Sequence, residues 1–259
     1  MFVDTHCHIH DPEYGFSAAE VLSRSREAGV EKMICVGTTP QNARQAVEFA
    51  SQHDGVFAAV GVHPHDAKLG VTAIEALTTA GHKKVVAVGE IGLDYFYEHS
   101  PRAVQIAAFE QQLQYAVDAN LPVIFHVRDR EAPNETITVW RDFWPVIDNF
   151  SGLRGVLHSF TDTAQNLERG LTRGFYVSIN GISTFTRVPQ QQEMFASIPL
   201  ERLLLETDAP FLTPRPFRGK MNEPCRVKEV ALHQAKVRGC SIEDIAQHTS
   251  RNAQALFDI

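Results

Sequence analysis

Two histidines near the start of the chain have the spacing of metal ligands. His6 and His8 are separated by one residue, and in an extended strand residues two apart point to the same face. Imidazole nitrogens are common ligands of divalent metal ions. The string H-x-H alone is weak evidence, because 12 histidines in 259 residues give roughly half an instance by chance, and three occur. The spacing leaves two hypotheses open: metal ligands, or ordinary polar residues at a strand end.

Four more residues of ligand type end other short apolar runs, and their placement is more informative. They are Glu90, His126, His158 and Asp208. Each alone has an ordinary interpretation: His126 as a hydrogen-bonded polar residue, Glu90 as a helix cap and Asp208 as a turn residue. Burying unpaired ionisable groups within apolar runs is costly, so their shared placement favours one common site.

The donor set also predicts which metals bind. Four imidazoles and two carboxylates suit Zn²⁺, Mn²⁺ or Fe²⁺, and tolerate Mg²⁺ less well. Six donors are more than one tetrahedral ion requires, so we expect two divalent ions per chain with Glu90 between them. The predicted ligands are His6, His8, Glu90, His126, His158 and Asp208.

Eight short runs rich in β-branched residues would bring these donors together. Helical periodicity between the runs, at about 30 residues per repeat, is typical of βαβ units with a parallel sheet. The sequence predicts an α/β fold, a (β/α)8 TIM barrel with extra C-terminal helices, as a single domain over residues 1–259. The predicted strands are 1–4, 32–36, 56–62, 85–88, 122–127, 155–157, 175–179 and 203–205, and the helices include 17–28, 41–51, 104–119, 163–173, 188–197, 223–238 and 241–257.

The carboxyl ends of all the strands open to one face of such a barrel, where its active sites lie. The six donors lie at the C-terminal ends of five of the eight predicted strands, so they would converge there. By the same argument His63, Asp94 and Tyr95 lie at the mouth and would bind substrate. The remaining histidines lack this placement, and we expect them to be ordinary: His10, His53, His65, His82, His99, His233 and His248.

The amino-acid composition limits which partners the chain is expected to bind and which cellular compartment it is expected to occupy. With 24 Lys and Arg against 31 Asp and Glu, the net charge of −7 argues against sliding along duplex by global charge. Four cysteines without a C-x-x-C pair are typical of a reduced, cytoplasmic chain. No segment has the roughly 20 apolar residues of a membrane helix. We expect no membrane association and see no sign of an obligate protein partner.

Seven ordered motifs carry a family resemblance. They are DTHCH at 4–8, GVHP at 61–64, GEIGLDY at 89–95, PVIFHVRD at 122–129, GVLHSF at 155–160, LETDAP at 205–210 and RGKMNEP at 218–224. Over essentially its whole length, the chain resembles the TatD-type metal-dependent deoxyribonucleases of the amidohydrolase superfamily. The resemblance implies a two-metal barrel, with His6, His8 and Asp208 around one ion, His126 and His158 around the other, and Glu90 between them.

The resemblance also implies an activity. Similar proteins cleave phosphodiester bonds in DNA, often at 3′ ends, so the expected substrates are DNA ends or small nucleotidic phosphodiesters. Many amidohydrolases carry a carboxylated lysine at the end of the fourth strand, and Glu90 in that place favours the phosphodiesterase branch. A metal-activated water would attack phosphorus, with Asp208 as proton acceptor and Glu206 as its partner. Arg218 and Lys220 are the predicted phosphate-binding cations, and Arg128 is predicted to bind substrate.

Two questions stay open at this point. The same centre could serve a metallohydrolase acting on a small amide, lactone or phosphomonoester, or belong to a non-catalytic metal-binding barrel. Segment 131–150, with Trp140 and Trp144, looks longer and more aromatic than the corresponding stretch of the family. It could form a helix packed on the barrel or a stacking platform for a nucleobase.

Overall fold

A computed structural model describes residues 1–130 and 138–259 of the chain. Eight strands form one sheet in which each strand pairs in parallel with the next in sequence. The strands are β1 (Phe2–Cys7), β2 (Val30–Val36), β3 (Val56–Val60), β4 (Val85–Asp94), β5 (Val123–Arg128), β6 (Gly155–Leu157), β7 (Tyr176–Ile179) and β8 (Leu203–Leu205). The predicted TIM barrel is confirmed.

The helices lie between and after the strands. They are α1 (Ala18–Glu27), α2 (Pro40–Gln52), α3 (Thr72–Thr79), α4 (Arg102–Asp118), α5 (Val139–Asp148), α6 (Ala164–Thr172), α7 (Ile182–Phe185), α8 (Pro189–Ser197), α9 (Val227–Arg238) and α10 (Ile242–Phe257). The last two follow β8, which confirms the predicted C-terminal helices. No helix among the described residues has the length and apolar character needed to cross a membrane.

Backbone contacts join the first and last strands of the barrel. The Asp208 N–H donates to the carbonyl of His6 at 2.9 Å, and the His8 N–H donates to the carbonyl of Ala209 at 2.7 Å. The buried Asp4 carboxylate accepts from the Thr207 N–H at 2.9 Å and from its hydroxyl at 2.5 Å. These contacts form the seam of the barrel between β1 and β8. They hold His6 and His8, the first candidate ligands in the sequence, beside Asp208, the last one.

Strand β4 runs further than the sequence predicts, to Asp94 instead of residue 88. Gly89 and Gly92 interrupt the apolar run after residue 88, and both have φ near +150°, at 149° and 148°. A Cβ on Gly92 would lie 1.9 Å from the carbonyl oxygen of His126 on the neighbouring strand. These glycines permit a close approach of β5, so the strand continues through them.

Residues two apart on a strand point to the same face, and on three strands one such residue lies in the core and the next lies in the site. Ile124, Val156 and Leu204 lie two residues before His126, His158 and Glu206. These three apolar side chains pack in one cluster with the end of α10, while the three polar ones lie one step nearer the mouth. The apolar floor of the barrel thus supports the polar layer above it.

The tryptophan segment forms a helix on the barrel within its described part. Both Trp140 and Trp144 lie in α5 and are buried, at 7% and 2% exposure. Trp144 donates its Nε1–H to the Asn166 side chain on α6 at 3.0 Å. Residues 131–137 of this segment lie outside the described residues.

Candidate metal centre

One group of four donors meets at the seam between β1 and β8. The Nε2 of His6 lies 3.2 Å from the Nε2 of His8 and 3.6 Å from a carboxylate oxygen of Glu90. Asp208 Oδ1 lies 3.6 Å from His6 Nε2 and 3.4 Å from His8 Nε2. Donor atoms around a tetrahedral ion with bonds of about 2.0–2.1 Å are separated by about 3.3–3.4 Å. The donor separations therefore fit one divalent ion.

A second group surrounds the other oxygen of the same carboxylate. Glu90 Oε1 lies 2.6 Å from His126 Nδ1, 2.8 Å from His158 Nε2 and 3.5 Å from His63 Nε2. The two shorter separations are those of hydrogen bonds. Glu90 therefore lies between the two groups, with Oε2 facing the first and Oε1 the second.

Three of the histidines are oriented by a contact on their outer ring nitrogen. His8 Nδ1 lies 2.8 Å from the carbonyl of Val36, and His126 Nε2 lies 2.9 Å from Asp94 Oδ2. His158 Nδ1 lies 3.3 Å from Glu206 Oε1, at the separation of an ion pair but without the alignment of a hydrogen bond. A proton held on the outer nitrogen leaves the lone pair of the inner nitrogen facing the centre, which is the usual arrangement of metal-binding histidines.

The pKa shifts of Glu90 and His63 favour the charge states that metal binding requires, whereas nearby carboxylates outweigh burial and raise the pKa values of His8, His126 and His158. Burial alone would raise the pKa of Glu90, but His158, His63 and His126 outweigh it and hold that pKa well below its ordinary value. Burial also disfavours a charged imidazole and, together with His126, lowers the pKa of His63 to about 4 despite the nearby Glu90. At neutral pH Glu90 is ionised and His63 is neutral, and both states suit metal binding.

Glu206 does not take the place that the sequence suggested for it. We expected it beside Asp208, but its carboxylate accepts from the Ser178 hydroxyl at 2.5 Å and from the Ser159 N–H at 2.8 Å. Asn180 Nδ2 donates to it at 3.1 Å, and His158 lies on its remaining side. The expectation assumed that Glu206 and Asp208 lie two apart on one strand and share a face. Asp208 has a positive φ of 57°, so the backbone is no longer extended there and the two carboxylates do not align. Glu206 therefore contacts the second group of donors through His158.

An open cavity of about 590 Å³ leads from solvent to the donors. His63 and Arg128, both predicted to bind substrate, line it, and so does Asp208. Asp94 lies behind this surface, fully buried, and contacts His126 and His65. The predicted role of Asp94 in contacting substrate is therefore replaced by one in orienting His126.

The prediction for Tyr95 is wrong. Its ring is fully buried and its hydroxyl donates to Asp142 of α5 at 2.6 Å. Asp94 is the last residue of β4, and Tyr95 begins the turn that follows it. Asp94 points to the histidines, whereas Tyr95 points to the surrounding helices.

The two loop cations are also displaced from the predicted site. Arg218 donates from Nη1 to the carbonyl of Thr213 at 3.0 Å, and its guanidinium lies 3.9 Å from the ring centre of Phe185. The exposed Lys220 lies 5.8 Å from the ring centre of Phe217. Neither cation lines the cavity above the donors. The loop directs them along its own surface, and their predicted phosphate contact is not supported.

Several residues of the site were missed. His65 was expected to be ordinary, yet its Nε2 lies 3.0 Å from Asp94 Oδ2 and it lines the cavity. The signal was present, because His63 and His65 repeat the H-x-H spacing. Tyr14 and the exposed Phe211 form an edge-to-face pair at 5.5 Å on the opposite side of the mouth. No spacing in the sequence connects these two loops.

Comparison with known proteins decides the family. The family model described as TatD related DNase matches residues 3–258. The chain belongs to this family. This TatD-family chain is 37% identical over 263 residues to an uncharacterized metal-dependent hydrolase, YabD of Bacillus subtilis (strain 168), with 100% of both chains covered. It is also 37% identical over 248 residues to the 3′-5′ ssDNA/RNA exonuclease TatD of Erwinia tasmaniensis, with 93% of each covered.

A solved structure agrees with the fold. YJJV, a TatD homolog from Escherichia coli K12, has a TM-score of 0.88 at 29% identity, over 100% of this chain and 98% of that one. The resemblance inferred from the seven motifs is confirmed, and the chain is a metal-dependent hydrolase of the TatD family.

Proposed function

We propose that the chain is a deoxyribonuclease that hydrolyses phosphodiester bonds at DNA ends, including the trimming of 3′ ends. The observation that carries the proposal is that both oxygens of the Glu90 carboxylate face a separate group of imidazoles. Paired divalent ions are a common device for phosphodiester hydrolysis. The exonuclease name of the relative from Erwinia tasmaniensis supports the same choice.

The donors divide between two divalent ions, Zn²⁺, Mn²⁺, Mg²⁺ or Fe²⁺. His6, His8 and Asp208 would hold one ion, His126 and His158 the other, and Glu90 would contact both. Ions bound in this way supply positive charge for the phosphate oxygens and lower the pKa of a coordinated water.

The protein's own groups complete the site. The side chain of Asp208 is 16% exposed and lines the cavity, so it can accept a proton from an attacking water. Arg128 is exposed at the mouth, with its guanidinium 4.3 Å from the ring centre of Phe96, and no carboxylate partner is seen for it in residues 1–130 and 138–259. We expect it to bind a substrate phosphate. Glu206 and Asp94 position His158 and His126 through the contacts described above.

The shape of the mouth favours chain ends over the interior of a duplex. A cavity of about 590 Å³ lies within the range of about 300–1,000 Å³ typical of sites for small ligands, so it suits a nucleotide. The net charge of −7 also disfavours long-range attraction to duplex DNA. The cytoplasmic location stays a prediction, with all four cysteines free.

The test is a cleavage assay on single-stranded oligonucleotides labelled at either end. Activity should vanish on chelation and return with Mn²⁺, Mg²⁺ or Zn²⁺, and shortening should begin at the 3′ end. Asp208→Asn should lower turnover by about 10²- to 10⁴-fold. Its metal content must be measured alongside, because Asp208 is also a candidate ligand.

Asp258→Asn is a matched control for that variant. Asp258 has a similar backbone, with φ of 54°, but is exposed at the C-terminal end of α10. Activity that survives both chelation and Asp208→Asn would overturn the proposal. Turnover confined to amides, lactones or phosphomonoesters would assign the centre to another hydrolase, and two bound metals without any turnover would indicate a non-catalytic barrel.

A further inference from the structure

One exposed aromatic ring lies in the wall of the main cavity. Phe211 follows β8 in the loop that carries Asp208, and it is 48% exposed. Single exposed apolar residues are common on protein surfaces. Among the large apolar residues left exposed in the described ranges, however, only Phe211 lines the cavity above the donors. An apolar surface beside a few polar groups is typical of ligand-binding sites.

The backbone of Phe211 is fixed at both of its polar groups. Its N–H donates to the carbonyl of Asp208 at 2.8 Å, and its carbonyl accepts from Asn222 Nδ2 at 2.7 Å. Asn222 is fully buried and also donates to the carbonyl of Thr207 at 2.9 Å. The loop therefore holds the ring in place before a ligand arrives, which reduces the entropy cost of binding.

Within the described ranges, no parallel ring and no cation covers the faces of Phe211. The Tyr14 ring centre is 5.5 Å away at an interplanar angle of 85°, and the His8 ring centre is 6.4 Å away at 64°, so both contacts are edge-to-face. Cations near the mouth cover other rings, as Arg128 covers Phe96. A flat ring can therefore stack on Phe211.

The position of Phe211 relative to the donors suits a nucleotide. His8, whose ring contacts Phe211, belongs to the first group of donors. Arg128 ends β5, which is not a neighbour of β8 in the barrel, and it lines the same cavity. A nucleotide in the cavity can therefore direct its phosphate to the donors and Arg128, and its base to Phe211.

We propose that Phe211 binds the base of the nucleotide beside the scissile phosphate by stacking on the face of that base. This inference rests on the proposed nuclease function and deepens it. Bases inside a duplex are covered on both faces by their neighbours, so the bound base belongs to a chain end or to an unstacked single strand. Phe211 thus determines which part of a DNA molecule can reach the metal donors.

Calorimetry with a mononucleotide tests the stack without requiring any cleavage. Phe211→Ala should bind 2′-deoxyadenosine 5′-monophosphate about 5- to 150-fold more weakly than the wild type, the usual effect of removing a ring that stacks on a base. Binding of 2-deoxyribose 5-phosphate, which lacks the base, should not change, which also shows that the variant is folded. Phe211→Trp keeps an aromatic face and should retain the tighter binding of the mononucleotide.

Phe217→Ala is the matched control for that variant. Phe217 is in the same loop after β8 but lies outside the cavity, with the Arg226 guanidinium 5.0 Å from its ring centre. This variant should bind both compounds as the wild type does. The assignment of Phe211 would be overturned by a wild type that binds the two compounds equally, by an unchanged affinity of Phe211→Ala for the mononucleotide, or by an equal loss for both compounds.

Stacking also predicts weak discrimination between bases. A stacked ring contacts the face of a base and not its edge, so the wild type should bind the four deoxynucleoside 5′-monophosphates with similar affinity. Binding confined to one base would indicate recognition of the base edge and contradict stacking on Phe211.

An activity arm separates this inference from the proposed function. The wild type should cut an oligonucleotide with an abasic residue at its 3′ end less efficiently than the intact strand, and the difference should shrink in Phe211→Ala. Cleavage of DNA with no preference for the intact strand would refute the role of Phe211 and leave the nuclease standing. Selective binding of the mononucleotide that depends on Phe211, without any cleavage, would support the base-binding role and refute the nuclease.

Discussion

Replacing Glu206 by Gln distinguishes a positioning group from a proton acceptor. The carboxylate is buried and accepts from Ser178, Ser159 and Asn180, with His158 Nδ1 3.3 Å from Oε1. Burial would raise the pKa of Glu206, but His158 outweighs it and lowers that pKa, so the group is ionised at neutral pH. Its charge thus favours a proton on the outer nitrogen of His158, the ring nitrogen that faces away from Glu90.

The size of the effect follows from the loss of that charge. Glutamine keeps one acceptor oxygen and much of the volume, but its amide cannot hold the His158 proton as a carboxylate does. Residues that orient metal-binding histidines usually contribute about 10- to 100-fold in metal affinity. We therefore expect Glu206→Gln to weaken metal binding by about 10- to 100-fold, with kcat restored at higher metal concentration.

The measurement is a chelator-competition titration of metal affinity, with kcat followed over the same metal range. Glu193→Gln is the control, because Glu193 is exposed on α8 and undergoes the same change. A fall in kcat by orders of magnitude at full metal occupancy would refute the positioning role and show that Glu206 acts on the reacting groups.

Three further predictions follow from contacts that the structure revealed. Tyr95→Phe should leave kcat/KM unchanged and lower the free energy of unfolding by about 1.5–3 kcal/mol, because it loses only the hydrogen bond to the Asp142 carboxylate of α5. Urea unfolding measures this, and lost activity with unchanged stability would contradict it. Replacing Arg218 and Lys220 together by Ala should leave the KM for oligonucleotides unchanged, because both side chains lie away from the cavity. A large rise in KM would restore their predicted role in binding phosphate. Hydrogen bonds from Ser241 lower the pKa of Asp244 in the α10 cap, so this stabilisation is present above the unfolded-state pKa of about 3.9 and lost as pH falls through the folded-state pKa. The difference in Tm between the wild type and Asp244→Asn should therefore be constant near neutral pH and shrink in acid, and a difference that persists in strong acid would contradict this.

The barrel was predictable because each strand is a short apolar run, and the donor positions were predictable because each donor ends such a run. His126 and His158 follow this rule directly, since they come two residues after core side chains on the same face. The length of β4 was not predictable from the sequence. Gly89 and Gly92 look like strand breakers until the neighbouring strand shows why no side chain fits there.

The positions of side chains in loops could not be predicted from the pattern of apolar runs. Alternation along a strand assigns a face to each residue, but it ends with the strand, so the placement of Glu206 relative to Asp208 could not be derived. Arg218 is held by a carbonyl and a ring from other parts of the fold, and no local pattern encodes those contacts. His65 was missed for a related reason, because it lies in a short helical turn after β3 and not on the strand itself.

The two donor groups depend on the fold in different ways. Glu90, His126 and His158 come from β4, β5 and the end of β6, which are consecutive and paired. His6 and Asp208 meet only across the seam between the first and last strands, where the backbone of each bonds to the other. Ligand binding that requires a folded arrangement stabilises that arrangement in proportion to its affinity. An ion in the first group would therefore stabilise closure of the barrel, whereas an ion in the second would stabilise a part of the sheet that already forms through neighbouring strands.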